Sequence, residues 1–211
     1  MSHLARILTT MPMALFLALA VSGCGKQEAQ NDPPEAPISA GYEAAIEAHA
    51  SKPIFRPTGT GPAVWGPGDL YTFLATGEET SNSLFQFEAL VPEGGGPPPH
   101  RHTREDETFY IVRGSLELLM GDKTVQAKAG DFVFIPRGVT HGFKNVGKDT
   151  ALQLVTFVPA GMENYFKEVF PAVSDRNAAP PPVTEALIQK LREAAPKYGL
   201  EFPPLTNSGK Q

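Results

Sequence analysis

The stretch GGGPPPHRHTREDETFYIVRG, residues 94–114, decides how this chain is read. Two histidines stand two apart, His100 and His102, and a carboxylate follows at Glu107. In an extended strand a spacing of two puts both imidazoles on one face. Glu107 opens a second strand pattern, whose face continues through Phe109 and Ile111. A second stretch, GDFVFIPRGVTHGFKN at residues 130–145, adds a third histidine, His141, at the start of another strand with Phe143 as its same-face neighbour. Three imidazoles and one carboxylate can hold a divalent metal and leave coordination positions open. Neutral imidazole and carboxylate donors suit Fe, Mn, Ni, Co, Cu or Zn, and the donor set alone does not choose among them. Any one of these histidines taken singly reads as a satisfied surface or core residue. Glu105 and Asp106 adjoin Glu107 and are read as lying outside the ligand set; alternation turns Asp106 toward solvent and leaves an inward-facing Glu105 open.

Outward from this pair of stretches the pattern is strand and turn. Strands are predicted at 70–76, 83–91, 107–113, 115–120, 123–127, 132–135, 141–146 and 151–158, rich in Phe, Val, Ile and Leu and separated by Gly- and Asp-containing turns. Many short strands at close spacing imply an antiparallel sandwich or barrel. The segment 53–67, punctuated by Pro53, Pro57, Pro62 and Pro67 around Trp65, is read as a loop. Helices are predicted at 41–50, 162–170 and 184–195, the last with Thr184 as N-cap and with Leu187, Ile188 and Leu191 on one face.

The two stretches resemble the two motifs of the cupin superfamily. Gly94, His100, His102, Glu107 and Gly114 reproduce the first: Gly, five residues, His-x-His, four residues, Glu, six residues, Gly. Gly130, Pro136, Gly138, His141 and Asn145 reproduce the second. Motifs matched at every defining offset are far more specific than a lone His-x-His. The resemblance implies an all-β cupin β-barrel (a double-stranded β-helix of jelly-roll type) with short N-terminal and C-terminal helices. It implies His100, His102, Glu107 and His141 as ligands of one divalent metal, a small-molecule substrate, and a homodimer formed through sheet packing.

Beyond the motifs the chain is similar to small single-domain quercetinase-like cupins, on Gly61-Pro62-Ala63-Val64-Trp65, Leu74-Ala75-Thr76-Gly77-Glu78-Glu79-Thr80, Pro97-Pro98-Pro99 and Lys197-Tyr198-Gly199. That likeness implies a metal-dependent dioxygenase cleaving a flavonol or similar enol, with Glu107 as the catalytic base. Phe85, Phe87, Phe109, Ile111 and Phe143 are then the expected pocket residues, although most apolar residues on an inward face are plain core packing. Two other classes stay open. One is a non-oxidative isomerase or lyase, for which Arg113 and Arg137 are the nearest cations in sequence. The other is a non-catalytic metal- or small-ligand-binding lipoprotein.

Composition sets the remaining bounds. The chain has 211 residues, 41% of them hydrophobic, with 20 Gly and 21 Pro and a net charge of −5. Such a chain favours one loop-rich, β-rich domain plus tails. No Lys/Arg cluster supports nucleic-acid binding. The single cysteine, Cys24, follows Arg6, a short apolar run and the small residues Ser22 and Gly23. This is the layout of a secretory signal, and Val21-Ser22-Gly23-Cys24 resembles the lipobox of bacterial lipoproteins. The expected organisation is a signal peptide at 1–23, a lipidated Cys24 and tether at 24–40, and an N-terminal arm at 41–69. The barrel follows at 70–160, a helical extension at 161–205 and a tail at 206–211. The expected location is extracytoplasmic and membrane-anchored, on the outer membrane if the cell has one.

Overall fold

The computed structural model describes residues 52–203. The Cys24 lipidation site, the tether and the helix at 41–50 lie outside the described residues. Among the described residues the strands are β1 (Ala63–Trp65), β2 (Leu70–Ala75), β3 (Phe85–Val91), β4 (Arg101–His102), β5 (Asp106–Arg113), β6 (Ser115–Met120), β7 (Lys123–Lys128), β8 (Phe132–Ile135), β9 (His141–Lys144), β10 (Ala151–Val158) and β11 (Leu200–Glu201). They form a six-stranded sheet in the order β1-β2-β3-β10-β5-β8, a three-stranded sheet β7-β6-β9 and a two-stranded pair β11-β4. Every pairing is antiparallel. This is an antiparallel barrel, as the strand pattern predicts and as the resemblance to cupins implies. The loop expected at 53–67 is corrected in part, because Ala63–Trp65 pairs with β2 as an edge strand.

Alternation explains which faces meet. In β3, Phe85, Phe87, Ala89 and Val91 are buried while the residues between them are only partly covered. β10 repeats the pattern with Ala151, Gln153, Val155 and Phe157. Register stacks these rows: Phe157 lies between Phe85 and Glu107, Val155 between Phe87 and Phe109, and Gln153 between Ala89 and Ile111. Burial of such a period-2 face is the main driving force for the sheet.

Helix α1 (Met162–Val169) follows β10. Its buried Met162, Tyr165, Phe166 and Val169 recur at the i, i+3, i+4, i+7 spacing of one helix face. Phe166 sits against Tyr71, Phe73, Phe85, Phe87 and Phe157, with ring centroids 5.4–6.4 Å away. Such stacked, tilted and edge-on aromatic contacts add to simple burial. Buried Glu163 ties α1 to the β2–β3 loop by accepting the Gly77 amide at 2.7 Å. Helix α2 (Glu185–Ala194) starts where Thr184 caps it, the hydroxyl accepting the Leu187 amide at 3.2 Å. A 3₁₀ turn, Ala195–Tyr198, then leads into β11, which lies along β4 beside His102. No helix among the described residues is long and apolar enough to cross a membrane.

Candidate metal centre and its cavity

Pro97, Pro98 and Pro99 hold the approach to His100 in extended backbone, since a residue before proline is pushed out of the helical region. The extended His100 meets His141 across an isolated bridge, each amide donating to the other's carbonyl at 2.8 Å. Two residues on, His102 lies in β4 with the same face inward. Glu107 enters from β5, paired with Phe157 on β10 and Ile135 on β8. All four side chains are buried, and one ligand atom from each falls within 4.8 Å of the others. An ion with bonds of about 2.1 Å suits a cluster of that span.

The second motif supplies the brace. Asn145 donates from Nδ2 to the Val91 carbonyl at 2.8 Å and the Asp149 carbonyl at 2.9 Å, and its Oδ1 accepts the Gly147 amide. Its backbone exchanges bonds with Gly94 and Gly95 at 2.8 and 2.9 Å. The glycine loop of the first motif is therefore stitched along β9, and the ligands of both motifs share one rigid frame.

The electrostatics favour donors. Burial together with the charges of His141 and His102 pushes the His100 imidazole down to about 3, so it stays neutral. Burial would raise Glu107, but His141 and His102 outweigh it and hold the carboxylate well below its usual range. Burial would lower His141, but the charge of Glu107 and a 2.6 Å bond from Nε2 to its Oε2 raise it. Nδ1 of His100 donates to the Pro98 carbonyl and Nδ1 of His141 to the Val139 carbonyl, both at 2.9 Å, when each carries its proton there. That tautomer leaves Nε2 of His100 free as a ligand, and Nε2 of His141 becomes one once it gives up the proton it shares with Glu107. His102 keeps both ring nitrogens buried without a hydrogen bond, its Nε2 lying 3.3 Å from Glu107 but out of line. A buried imidazole with nothing to bond is costly unless a further group completes it, and a cation among these four donors would. The residues present fit a divalent metal.

The family model described as "Cupin domain" matches residues 87–158. The chain is 31% identical over 121 residues to polyketide synthase CurC of Streptomyces cyaneus, an overlap covering 56% of this chain and 79% of that protein. The chain is a cupin. This cupin is also similar to quercetin 2,3-dioxygenase of Aspergillus japonicus, at 31% identity over 125 residues, covering 56% of this chain and 35% of that one. It thus spans about a third of that relative's length. Among solved structures it is similar to KdgF from Halomonas sp., with 21% identity and a TM-score of 0.48 over 54% of this chain and 99% of that one.

A cavity of about 800 Å³ opens onto the cupin's ligand cluster, with His100, His102 and Glu107 in its lining. Phe87 and Phe143 line it. Phe85, Phe109 and Ile111 do not, which corrects their reading as pocket residues. Each has no exposed surface, because register sets Phe85 among the β2, β10 and α1 rings and the other two in deeper layers of the barrel. Phe109 still buttresses the site, its ring 5.8 Å from Phe143 and 6.2 Å from His141. The remaining aromatic wall comes from Tyr71, Phe157, Tyr165, Phe166, Phe170 and Phe202. Alternation in β2 and β10 and the amphipathic face of α1 carried that signal. Arg113 and Arg137 are both exposed. Arg137 grips Asp106 in a two-pronged pair at 3.0 Å. The cations in the cavity lining are Lys144 and Arg192.

Asp69, which nothing in the sequence singles out, is fully buried beside the cavity wall and accepts the Tyr71 hydroxyl at 3.1 Å. Burial pushes its carboxyl up to about 7, partly offset by hydrogen bonds from Tyr71 and the Gly96 backbone. A folded-state value above the unfolded one means the folded chain binds the extra proton. Its stabilising contribution is full below about pH 4 and is lost as pH rises through 7, a change of about 4 kcal/mol. Chemical denaturation of the native chain should show that decline, and Asp69→Asn should flatten it; an unchanged slope in the variant would assign the pH dependence elsewhere.

Proposed function

We propose that this cupin is a metal-dependent dioxygenase of quercetinase type that cleaves a flavonol or similar planar enol with O2. The observation that carries the reading is a three-histidine, one-carboxylate cluster at the wall of an apolar, aromatic-lined cavity. When held there, a divalent ion would supply a Lewis acid that makes the enol hydroxyl more acidic and a template for O2. Phe87, Phe143 and Phe157 offer flat apolar faces for the rings of such a substrate and keep water from them. Glu107, buried and lining the cavity, is the base within reach of the hydroxyl proton. Tyr71, steadied by Asp69, offers a polar contact for a substrate hydroxyl. The likeness to quercetin 2,3-dioxygenase supports the same reading. A sugar or oxo-acid isomerase would want cations beside the ligands; Arg113 and Arg137 face solvent instead, and the cavity's cations are Lys144 and Arg192.

The purified chain, loaded in turn with Fe, Mn, Ni and Co, is expected to take up O2 with a flavonol and bleach its absorbance. No uptake with any flavonol or enediol would overturn the proposal. Turnover under argon would instead indicate an isomerase or lyase, and tight retention of a ligand without turnover a binding protein.

Two proposals concern context. Cys24 is lipidated and holds the chain on the extracytoplasmic side of a membrane; Cys24→Ser should release it to the soluble fraction, and unchanged membrane recovery would refute the anchor. A second copy packs on the outer face of β5 and β8, where exposed Tyr110 and Phe132 pair across the strands next to exposed Phe134 and Val112. A monomer in sedimentation at micromolar concentration would exclude that pairing.

A further inference from the structure

The three imidazoles of the centre are not held alike. His100 and His141 each have Nδ1 against the carbonyl two residues earlier, Pro98 and Val139, at 2.9 Å. For His102 the residue two earlier is His100, and its carbonyl already accepts the His141 amide across the bridge. Nδ1 of His102 therefore lacks the backbone partner that orients the other two, and no hydrogen bond replaces it. Facing it is Glu105, whose Oε2 lies 3.9 Å from that nitrogen. Glu105 is only 4% exposed, and its Oε2 has no hydrogen-bond partner either. Glu105 stays outside the ligand cluster and lies behind it, against His102. Glu105 stands two residues before Glu107, so the alternation that turns Asp106 outward leaves both carboxylates on the inward side.

Two buried polar atoms of opposite character face each other, each otherwise unsatisfied. Each left alone is costly to bury, and a small rotation of either side chain brings them into contact. We propose that Glu105 is a positioning residue of the metal centre, its carboxylate taking the Nδ1–H of His102 and so committing Nε2 to the ion. The inference rests on the metal centre assigned above and not on which reaction the centre performs. A carboxylate in this place also makes His102 a stronger donor than its two carbonyl-held neighbours. The site then has two carboxylates with separate duties: Glu107 as ligand and Glu105 as the hand that turns one imidazole.

The test measures Co(II) affinity of the full chain by competition with a chromophoric chelator, alongside ¹⁵N shifts of His102 in the protein without added ion. Glu105→Leu should weaken Co(II) binding by about 10–100-fold. Glu105→Gln retains a neutral acceptor like the two backbone carbonyls and should recover most of that loss. His102 should carry its proton on Nδ1 in the native chain and lose that preference in Glu105→Leu. Native affinity in Glu105→Leu, or an Nε2–H tautomer in the native chain, overturns the proposal. The tautomer is read on the native protein, so it decides the matter even if the leucine variant fails to fold. A native chain that binds no Co(II) yet shows Nδ1–H on His102 would instead refute the metal centre and leave the Glu105 contact standing.

Discussion

Replacing His141 with alanine is expected to abolish retention of a divalent ion while the barrel stays folded. The backbone of β9 keeps its pairing with β6 and its bridge to His100, neither of which uses the imidazole. What disappears is one ligand of four and the 2.6 Å bond from Nε2 to Glu107. Loss of an outer hydrogen-bond partner alone weakens metal binding by about 10–100-fold, and loss of a ligand should exceed that. Glu107 would then keep only the misaligned His102 beside it. Breaking one side of a buried charged pair costs about 3–5 kcal/mol. Glu107 can shed much of that cost by taking up a proton, so its pKa should rise from its depressed native position. Elemental analysis reads the metal, and circular dichroism with thermal unfolding reads the fold. A folded His141→Ala protein with full metal content would mean that the ligand set is wrong.

Gly96→Ala should be the most damaging single methyl in the motif region. Gly96 has φ +125°, and a Cβ built there would stand 2.0 Å from the Phe143 carbonyl oxygen and 2.9 Å from its carbon. Both are backbone atoms of β9, so the loop must move and cannot push a flexible side chain aside. The strained dihedral costs about 1–3 kcal/mol, and the overlap about 1–3 kcal/mol more. The displaced segment runs through Pro97–Pro99 to His100, so ion affinity should fall with stability. Gly94 is the informative control. It is the glycine that defines the motif, yet at φ +76° a Cβ there meets nothing within 4 Å. Gly94→Ala should therefore cost only its dihedral term. Denaturation midpoints of the two variants decide the matter: equal losses would show that the close approach of Gly96 to β9 is not what constrains the loop.

These two glycines show how far the primary structure can be read. Motif spacing points to Gly94, and packing makes Gly96 the sensitive one, because only the fold lays that loop over β9. The same division runs through the pocket. Alternation correctly put Phe85, Phe109 and Ile111 on inward faces, along with Phe87 and Phe143. It could not say at which level of the barrel each would lie, since level depends on strand register across β3, β10 and β5. Glu105 is a related case: alternation leaves it free to face inward beside Glu107, but only the fold sets it opposite Nδ1 of His102.

Local chemistry, legible along the chain, determined the strand pattern, the amphipathic faces of the two helices, the Thr184 cap and the candidate set His100, His102, Glu107 and His141. Each depends on spacing within a few residues, and spacing is a property of covalent structure. The tertiary structure alone decided that Asp69 is buried against Tyr71, that His102 lacks a backbone partner, and that Glu105 faces it. Those facts depend on which backbone groups are already engaged by distant strands, and hydrogen-bond competition of that kind exists only once the barrel has closed.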